Sequence, residues 1–540
     1  ARMEGGEGND TYELMRDGDV IYEEAGEGVD LVRSHVTHTL AEYVEKLWLE
    51  GTAAIDGTGN ALDNTITGND GANVLDGKEG NDRLIIGDDT LEGVGIDTLK
   101  GGLGDDTLHG SGNPNDSRGG LLKGGQGDDT YFLVQPGDVI DEEAGGGVDL
   151  VRSHVTHTLA KNVEKLWLEG TAAIDGTGNA LANEILGTNQ NNVLDGQGGA
   201  DTLRGYDGDD TYIIDNAGDV IYEAAGEGTD VAISTVDVVL PNSEVENIRL
   251  EGSEDLNATG NSLANEIIGN KGNNVLDGGA DSAIDTLRGG AGDDTYVIVN
   301  WLNAADIIVE TFNWFDNGVE LTNEDTIVLT ETASLAPYKM PDNVENLVIV
   351  RDLINDWYQL TDVDGNSSDN TITGHVGDNI IQGFDGADYL EGKGGIDILK
   401  GGSGSDTLDG GALYDTMEGG TGSDVYFVDH SGDIVVEVEH QSGVSTDTVN
   451  AAITYTLPAN VEDLNLTGTA LHGTGNDLAN TIAGNDGDNG LHGGDGNDTL
   501  IGNGGSDTML GGAGADTMTG GIGDDTMLGG AGDDTLTDTE

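Results

Sequence analysis

The phrase Gly-Gly-x-Gly-x-Asp-x-apolar-x runs from Gly493 to Thr537 as GGDGNDTLI, GNGGSDTML, GGAGADTMT, GGIGDDTML and GGAGDDTLT. The aspartate at position 6 supplies a carboxylate. Glycines at positions 1, 2 and 4 admit backbone angles closed to other residues, so a tight turn can aim its carbonyl oxygens inward. Carboxylate and carbonyl oxygens are the donors that Ca²⁺ prefers. The apolar residue at position 8 falls on a short strand, where its side chain can face a core. The position-6 aspartates are therefore the candidate metal ligands: Asp10, Asp82, Asp106, Asp129, Asp201, Asp210, Asp294, Asp388, Asp397, Asp406, Asp415, Asp424, Asp498, Asp507, Asp516, Asp525 and Asp534. Some lines depart from the pattern. GKEGNDRLI and GNGGSDTML lack the second glycine, and Leu413 replaces the third in GGALYDTME, so these are weaker candidates. The first lines of a block carry Asn at position 6, as in GNDGANVLD (68–76), and one neutral oxygen there predicts a weak or empty calcium turn.

Other chemistry finds little support. Ten histidines include no HExxH, and no P-loop GxxxxGK[ST] occurs. His35 and His38 recur as His154 and His157, but residues three apart on a strand point to opposite faces, so one pair cannot chelate one metal. Surface or filler roles are expected for them. Carboxylates are too abundant to single out a glycosidase pair. With no cysteine, disulfides and thiol catalysis are excluded. No enzymatic activity is expected of these residues.

The elements that position the aspartates are of two kinds. Glycine blocks alternate with β-rich spacers that also repeat: GDVIYEEAGEGVDLVRSHVTHTLAEYVEKLWLEGTAAIDGTGN at 18–60 returns, nearly unchanged, at 137–179. Further spacer copies start at Gly218 and Gly432, and a degenerate one lies near 305–366. The boundaries that follow are a first glycine line at 1–16; spacers at 17–58, 136–177, 217–259, 301–364 and 431–474; and glycine blocks at 59–135, 178–216, 260–300, 365–430 and 475–540. In VEKLWLEG, Leu47 and Leu49 align with Leu166 and Leu168, Ile248 and Leu250, Leu347 and Ile349, and Leu464 and Leu466. Strand alternation puts these pairs on one face, and likewise Val32, Val36 and Leu40. The spacers are then longer rungs of the same solenoid, and no helical period is visible. Trp48 and Trp167 fall on the outward face, where they either cover a neighbouring rung or make a subunit or glycan contact. Trp301, Trp314, Trp357, Phe312 and Phe315 make 301–358 a candidate contact surface.

Charge narrows the partners. Asp+Glu number 103 against 20 Lys+Arg, a formal charge of -83, so phosphate contacts to nucleic acid and adhesion to anionic membranes are excluded. No stretch approaches the roughly 18 apolar residues of a membrane span. Such a chain either stays disordered or recruits cations. Glycine in register, 91 residues of it with only 6 prolines, argues for a repeat fold that grows without one large core.

These lines resemble the RTX, or hemolysin-type calcium-binding, repeats of bacterial proteins exported by type I secretion. The resemblance covers nearly the whole chain. It implies an all-β fold, a right-handed parallel β-roll or β-solenoid in which two lines make an 18-residue coil. Several Ca²⁺ ions would sit between turns on the same edge, and the setting would be extracellular or at the cell surface. The expected function is that of a structural repeat protein that folds on Ca²⁺ and serves in a surface layer, filament or adhesin stalk, with end-to-end or lateral self-association and a cell-surface or glycan contact. The alternative is the repeat region of a larger secreted enzyme of protease, lipase or alginate epimerase type, acting as a folding and export module. The first residues, ARMEGGEGNDTY, lie inside a repeat and show no signal-peptide pattern, and only Asp538, Thr539 and Glu540 follow the last line, so a piece of a longer protein is expected.

Overall fold

The structure is a computed structural model that describes residues 1–87, 96–111, 119–240, 244–279, 283–299, 306–309, 315–316, 319–320, 324–330, 338–350, 361–438 and 445–538. Among them there is no α-helix, and so none long and apolar enough to cross a membrane. The chain divides into two compact units, Ala1–Glu251 with Thr259–Asn265, and Gly252–Ala258 with Glu266–Glu540. Each is a parallel β-solenoid. The one antiparallel ladder among the described strands is the small pair Phe315–Asp316 and Val319–Glu320.

The coil length is read from the register. In the C-terminal block Thr499 pairs with Thr517 and Thr517 with Thr535, steps of 18 residues, so each line stacks on the line two further on. Successive lines go alternately to two sheets. Thr508–Ala513 pairs with Thr526–Ala531 on one, while Thr499–Gly504 pairs with Thr517–Ile522 on the other.

The cause is the position-8 residue. Each line places one aliphatic or aromatic side chain between the sheets, and the parallel register stacks these into columns. In the first unit one column runs Ile66, Leu84, Leu108, Tyr131, Val151, Leu166, Ile185, Leu203 and Ile221. All are buried. Opposite it lie Leu75, Leu99, Leu122 and Ile140. Each such side chain stabilises the stack by roughly 1.5–3 kcal/mol.

The spacers continue the same columns with altered coil lengths. Tyr12 pairs with Val32, Val32 with Leu47 and Leu47 with Ile66, steps of 20, 15 and 19 residues. A spacer thus holds one longer and one shorter coil, where longer rungs alone were expected. The aligned pairs from Leu47 and Leu49 through Leu464 and Leu466 are all buried. Val36 is a correction: it is only half-buried, and Ser34 takes the inward position instead. A bend after Ser34 breaks the alternation, and the Ser34 hydroxyl donates to the Val36 carbonyl at 2.6 Å.

Trp48 faces outward and covers the neighbouring rung, with the Arg33 guanidinium 5.3 Å from its ring centroid. Arg33 in turn pairs with Glu50. Trp167 is half-buried beside Arg152, its register partner. Trp301, Trp314, Trp357 and Phe312 lie outside the described residues, as does the side chain of Phe315.

Candidate metal centre

Each candidate aspartate closes a turn whose backbone needs left-handed angles. In the line Gly511–Thr519, Gly512 and Gly514 have φ of +122° and +146°. The irregular lines reach the same region with side chains present: Lys78 at +89°, Asn503 at +72° and Leu413 at +96°. The missing glycines therefore cost strain without abolishing the turn.

Fourteen of the seventeen candidates are buried, and Asp10, Asp525 and Asp534 are half-buried. Their two carboxylate oxygens have different surroundings. Oδ1 accepts a hydrogen bond from the backbone N–H of the equivalent residue one coil earlier. Asp82 N–H donates to Asp106 Oδ1 at 2.7 Å, and Asp106 N–H to Asp129 Oδ1 at 2.7 Å. Asp388, Asp406 and Asp424 repeat the pattern at 2.8 Å, as do Asp397 and Asp415 at 2.7 Å. These rows begin on an asparagine, as where Asn64 N–H donates to Asp82 Oδ1, and end in a spacer, as where Asp149 N–H donates to Glu164 Oε2.

Oδ2 is buried and meets no hydrogen-bond donor in Asp82, Asp106, Asp129, Asp201, Asp210, Asp294, Asp388, Asp397, Asp406, Asp415, Asp498, Asp507 and Asp516. Each of these atoms points over the first glycine of its own line. A methyl group added at Gly101 would overlap Asp106 Oδ2 and lie 2.6 Å from the Gly124 carbonyl oxygen of the next coil. At Gly401 the same group would overlap Asp406 Oδ2 and lie 2.7 Å from the Gly419 carbonyl oxygen. A carboxylate oxygen and a carbonyl oxygen thus converge on one glycine-lined hollow, a donor set that fits a hard cation.

Burial pushes these carboxyls up, against the lowering effect of the backbone N–H each accepts. Asp82, Asp106, Asp210, Asp294 and Asp388 rise to about 7, and Asp129 and Asp397 to about 8. Asp201 and Asp415 rise to about 6. The charged form is the one disfavoured. The resulting cost to the fold is absent below the ordinary carboxylate value and complete above the raised one, so a row of ionised aspartates needs countercharge at neutral pH.

The position-6 asparagines make the contrast. Asn183 Nδ2 donates to the Val163 and Glu164 carbonyls of the previous coil at 3.0 and 3.2 Å, and Asn73 Nδ2 donates to the Ile55 carbonyl at 2.6 Å. Where an aspartate presents a bare oxygen, the amide presents a nitrogen already bonded to carbonyls. The histidines of the spacers are fillers and surface groups. His38 and His157 each bury an Nε2, while His35 is exposed with its Nε2 3.3 Å from Glu50 Oε2.

Some members of the rows do not stand in regular nonapeptides. Asp97 accepts from Asn73 N–H at 2.7 Å, and Asp285 lies over Gly278 as the regular aspartates lie over theirs. Insertions displace their glycines, but the trailing Asp-Thr-Leu survives in IDTLK and IDTLR and would have found them. The spacer acids Asp30, Asp149, Asp230, Asp325 and Asp447 also accept from the last block aspartate.

A parallel β-solenoid whose turns stack glycine hollows under buried carboxylates defines a class of calcium-binding repeat. The family model of the RTX calcium-binding nonapeptide repeat (four copies) matches residues 58–90, 93–113, 177–212, 259–296, 364–399, 400–429, 474–509 and 501–536, and the chain belongs to that family. No curated protein matches it.

Proposed function

We propose that this chain is an extracellular structural protein whose solenoid is completed by Ca²⁺, with the position-6 aspartates as ligands, and that the loaded solenoid serves in surface or filament assembly. The observation that carries the calcium assignment is the row of buried Oδ2 atoms without donors, each sharing a glycine hollow with a carbonyl oxygen. The bound ion supplies the countercharge and joins adjacent coils. The protein supplies the rest: Oδ1 anchors each carboxylate to the preceding coil, and the glycines keep the hollow open. One ion for each of the seventeen aspartates would change the formal charge from -83 to -83 + 34 = -49, which leaves an acidic surface that saline screens over about 8 Å.

The assembly role is supported by apolar side chains that recur outward once per module. Val20 and Tyr22, Val139, Val220 and Tyr222, and Ile434 and Val436 are all exposed at equivalent spacer positions. A regularly spaced apolar series suits lateral contact between copies better than it suits an inert stalk. The role is non-enzymatic on this reading.

Circular dichroism tests the first part. In chelator the chain is expected to lose β signal and to regain it with Ca²⁺, because ion binding is part of the folding free energy. A folded spectrum in chelator overturns the calcium assignment. Sedimentation at millimolar calcium tests the second part, and a strict monomer overturns assembly.

A further inference from the structure

Where a glycine block runs into a spacer, no further glycine line arrives to offer its carbonyl to the last aspartate. A glutamate takes that place. At Gly124 an added methyl would overlap Asp129 Oδ2 and Glu142 Oε1, not a glycine carbonyl. Asp149 completes the group: one ligand oxygen from each of Asp129, Glu142 and Asp149 lies within 4.8 Å of the others. The same trio forms from Asp10, Glu23 and Asp30, from Asp210, Glu223 and Asp230, and from Asp424, Glu437 and Asp447. The spacing repeats in sequence. The glutamate follows the first aspartate by 13 residues in all four (10 to 23, 129 to 142, 210 to 223, 424 to 437), and the second aspartate follows by 7 more in the first three.

A tyrosine two residues after the first aspartate holds each glutamate. Tyr12, Tyr131 and Tyr426 donate their hydroxyls to Glu23, Glu142 and Glu437, and the Tyr131 hydroxyl accepts from Gly124 N–H at 2.7 Å. In the third copy Gly205 N–H donates to the Tyr212 hydroxyl at 2.8 Å. These tyrosines are positioning residues that orient the carboxylate.

The trios are aimed inward and their oxygens lack donors. Asp129 and Asp149 are 1% and 0% exposed, and the Oδ2 of each is buried without a hydrogen-bond partner. Asp30 at 1% and Glu23 at 3% repeat this, as do Asp210 Oδ2 and Glu223 Oε2. A buried group of three carboxyls held by a neutral phenol has no countercharge in the protein itself. Burial pushes Glu23 up to about 7 and Glu223 and Glu437 to about 8, with the neighbouring carboxylates adding to it.

We propose that each junction trio binds one divalent, oxygen-preferring cation, forming a second class of site distinct from the nonapeptide turns. Three carboxylates against the single carboxylate and carbonyl of a regular turn make this the tighter class, since ligand charge sets affinity at oxygen sites. The junction ion would pin the first spacer coil to the last glycine coil. It stands whether or not the regular turns bind calcium, because its ligands include two acids per site from outside the nonapeptides.

Equilibrium dialysis of the full chain with radioactive Ca²⁺ tests it, at a free concentration of about 10⁻⁵ M, below the ~10⁻⁴–10⁻³ M range of extracellular modules. The wild type is expected to retain a tight class that Glu142→Gln lowers by one ion. The variant with Glu23, Glu142, Glu223 and Glu437 all changed to Gln should lower it by four, one for each trio. Glutamine keeps an acceptor for the tyrosine, and Asp201→Asn, in a regular turn, should leave the tight class unchanged. If the fourfold variant does not fold, the single variant still decides. An unchanged tight stoichiometry in Glu142→Gln overturns the proposal, and so does the absence of any tight class. A tight class without a weaker one would overturn the nonapeptide assignment and leave this one standing.

Discussion

Replacing Asp397 by alanine should open the solenoid locally and nowhere else. Asp397 is fully buried, its Oδ1 accepts from Asn379 N–H at 2.6 Å, and its Oδ2 shares the Gly392 hollow with the Gly410 carbonyl. Alanine removes a charged acceptor from a buried N–H, a loss of about 1.5–3 kcal/mol. It also removes the ion: at calcium tenfold above the dissociation constant, RT ln 11 is about 1.4 kcal/mol. The sum of about 3–4 kcal/mol corresponds to faster amide exchange by a factor of roughly 10²–10³. Hydrogen exchange should place that change in Ile398–Ser403 and in the strands it pairs with, Asn379–Asp385 and Thr416–Thr421. Thr98–Leu103, in the other unit, should keep its protection, because solenoid contacts are between neighbours. Asp397→Asn retains an acceptor and should show only the ion's share, about tenfold. Equal acceleration at Thr98–Leu103, or none at Ile398–Ser403, would refute the reasoning.

Three other outcomes are expected. Leu413→Gly should raise the calcium-loaded melting temperature, since relief of a side chain at φ +96° outweighs the added chain entropy by about 0.5–1 kcal/mol; an unchanged or lower value counts against strain there. Asn183→Asp should destabilise the protein by about 2 kcal/mol in low calcium, as the two bonds from Nδ2 are lost, and should bind one more ion at millimolar calcium, counted by calorimetry. Burial lowers His157 from 6.5 to about 4, so its neutral form stabilises the fold above pH 6.5 and that contribution fades as pH falls towards 4. An NMR titration of its ring at saturating calcium should place the midpoint well below 6, and a midpoint near 6.5 would show the ring to be solvated.

The solenoid was legible because its core is periodic. One apolar side chain per nine residues, as Leu500, Met509 and Met518, leaves few alternatives to stacked short strands. The regular aspartates were legible for the same reason. Asp97 and Asp285 were not, because insertions separate them from their glycines while tertiary register keeps them in the row. The junction acids were hidden differently. Glu142 and Asp149 stand in a sequence crowded with acids, and only the coil that returns them over Asp129 distinguishes them from solvated neighbours such as Glu143. The Val36 expectation failed because a strand pattern was extended through a bend that the Ser34 hydroxyl makes.

The aspartate rows have a polarity. From Asn64 through Asp82, Asp106, Asp129 and Asp149 to Glu164, each backbone donor looks forward along the chain for its carboxylate, never back. A coil is therefore finished by its successor. A chain that orders from its C-terminal side lays every new donor onto an acceptor already fixed in place. One that orders from its N-terminal side carries an open row of donors at its growing tip until the next coil closes it. The two ends of a growing solenoid of this kind are chemically unequal, and assembly from the C-terminal side is the downhill direction of this row.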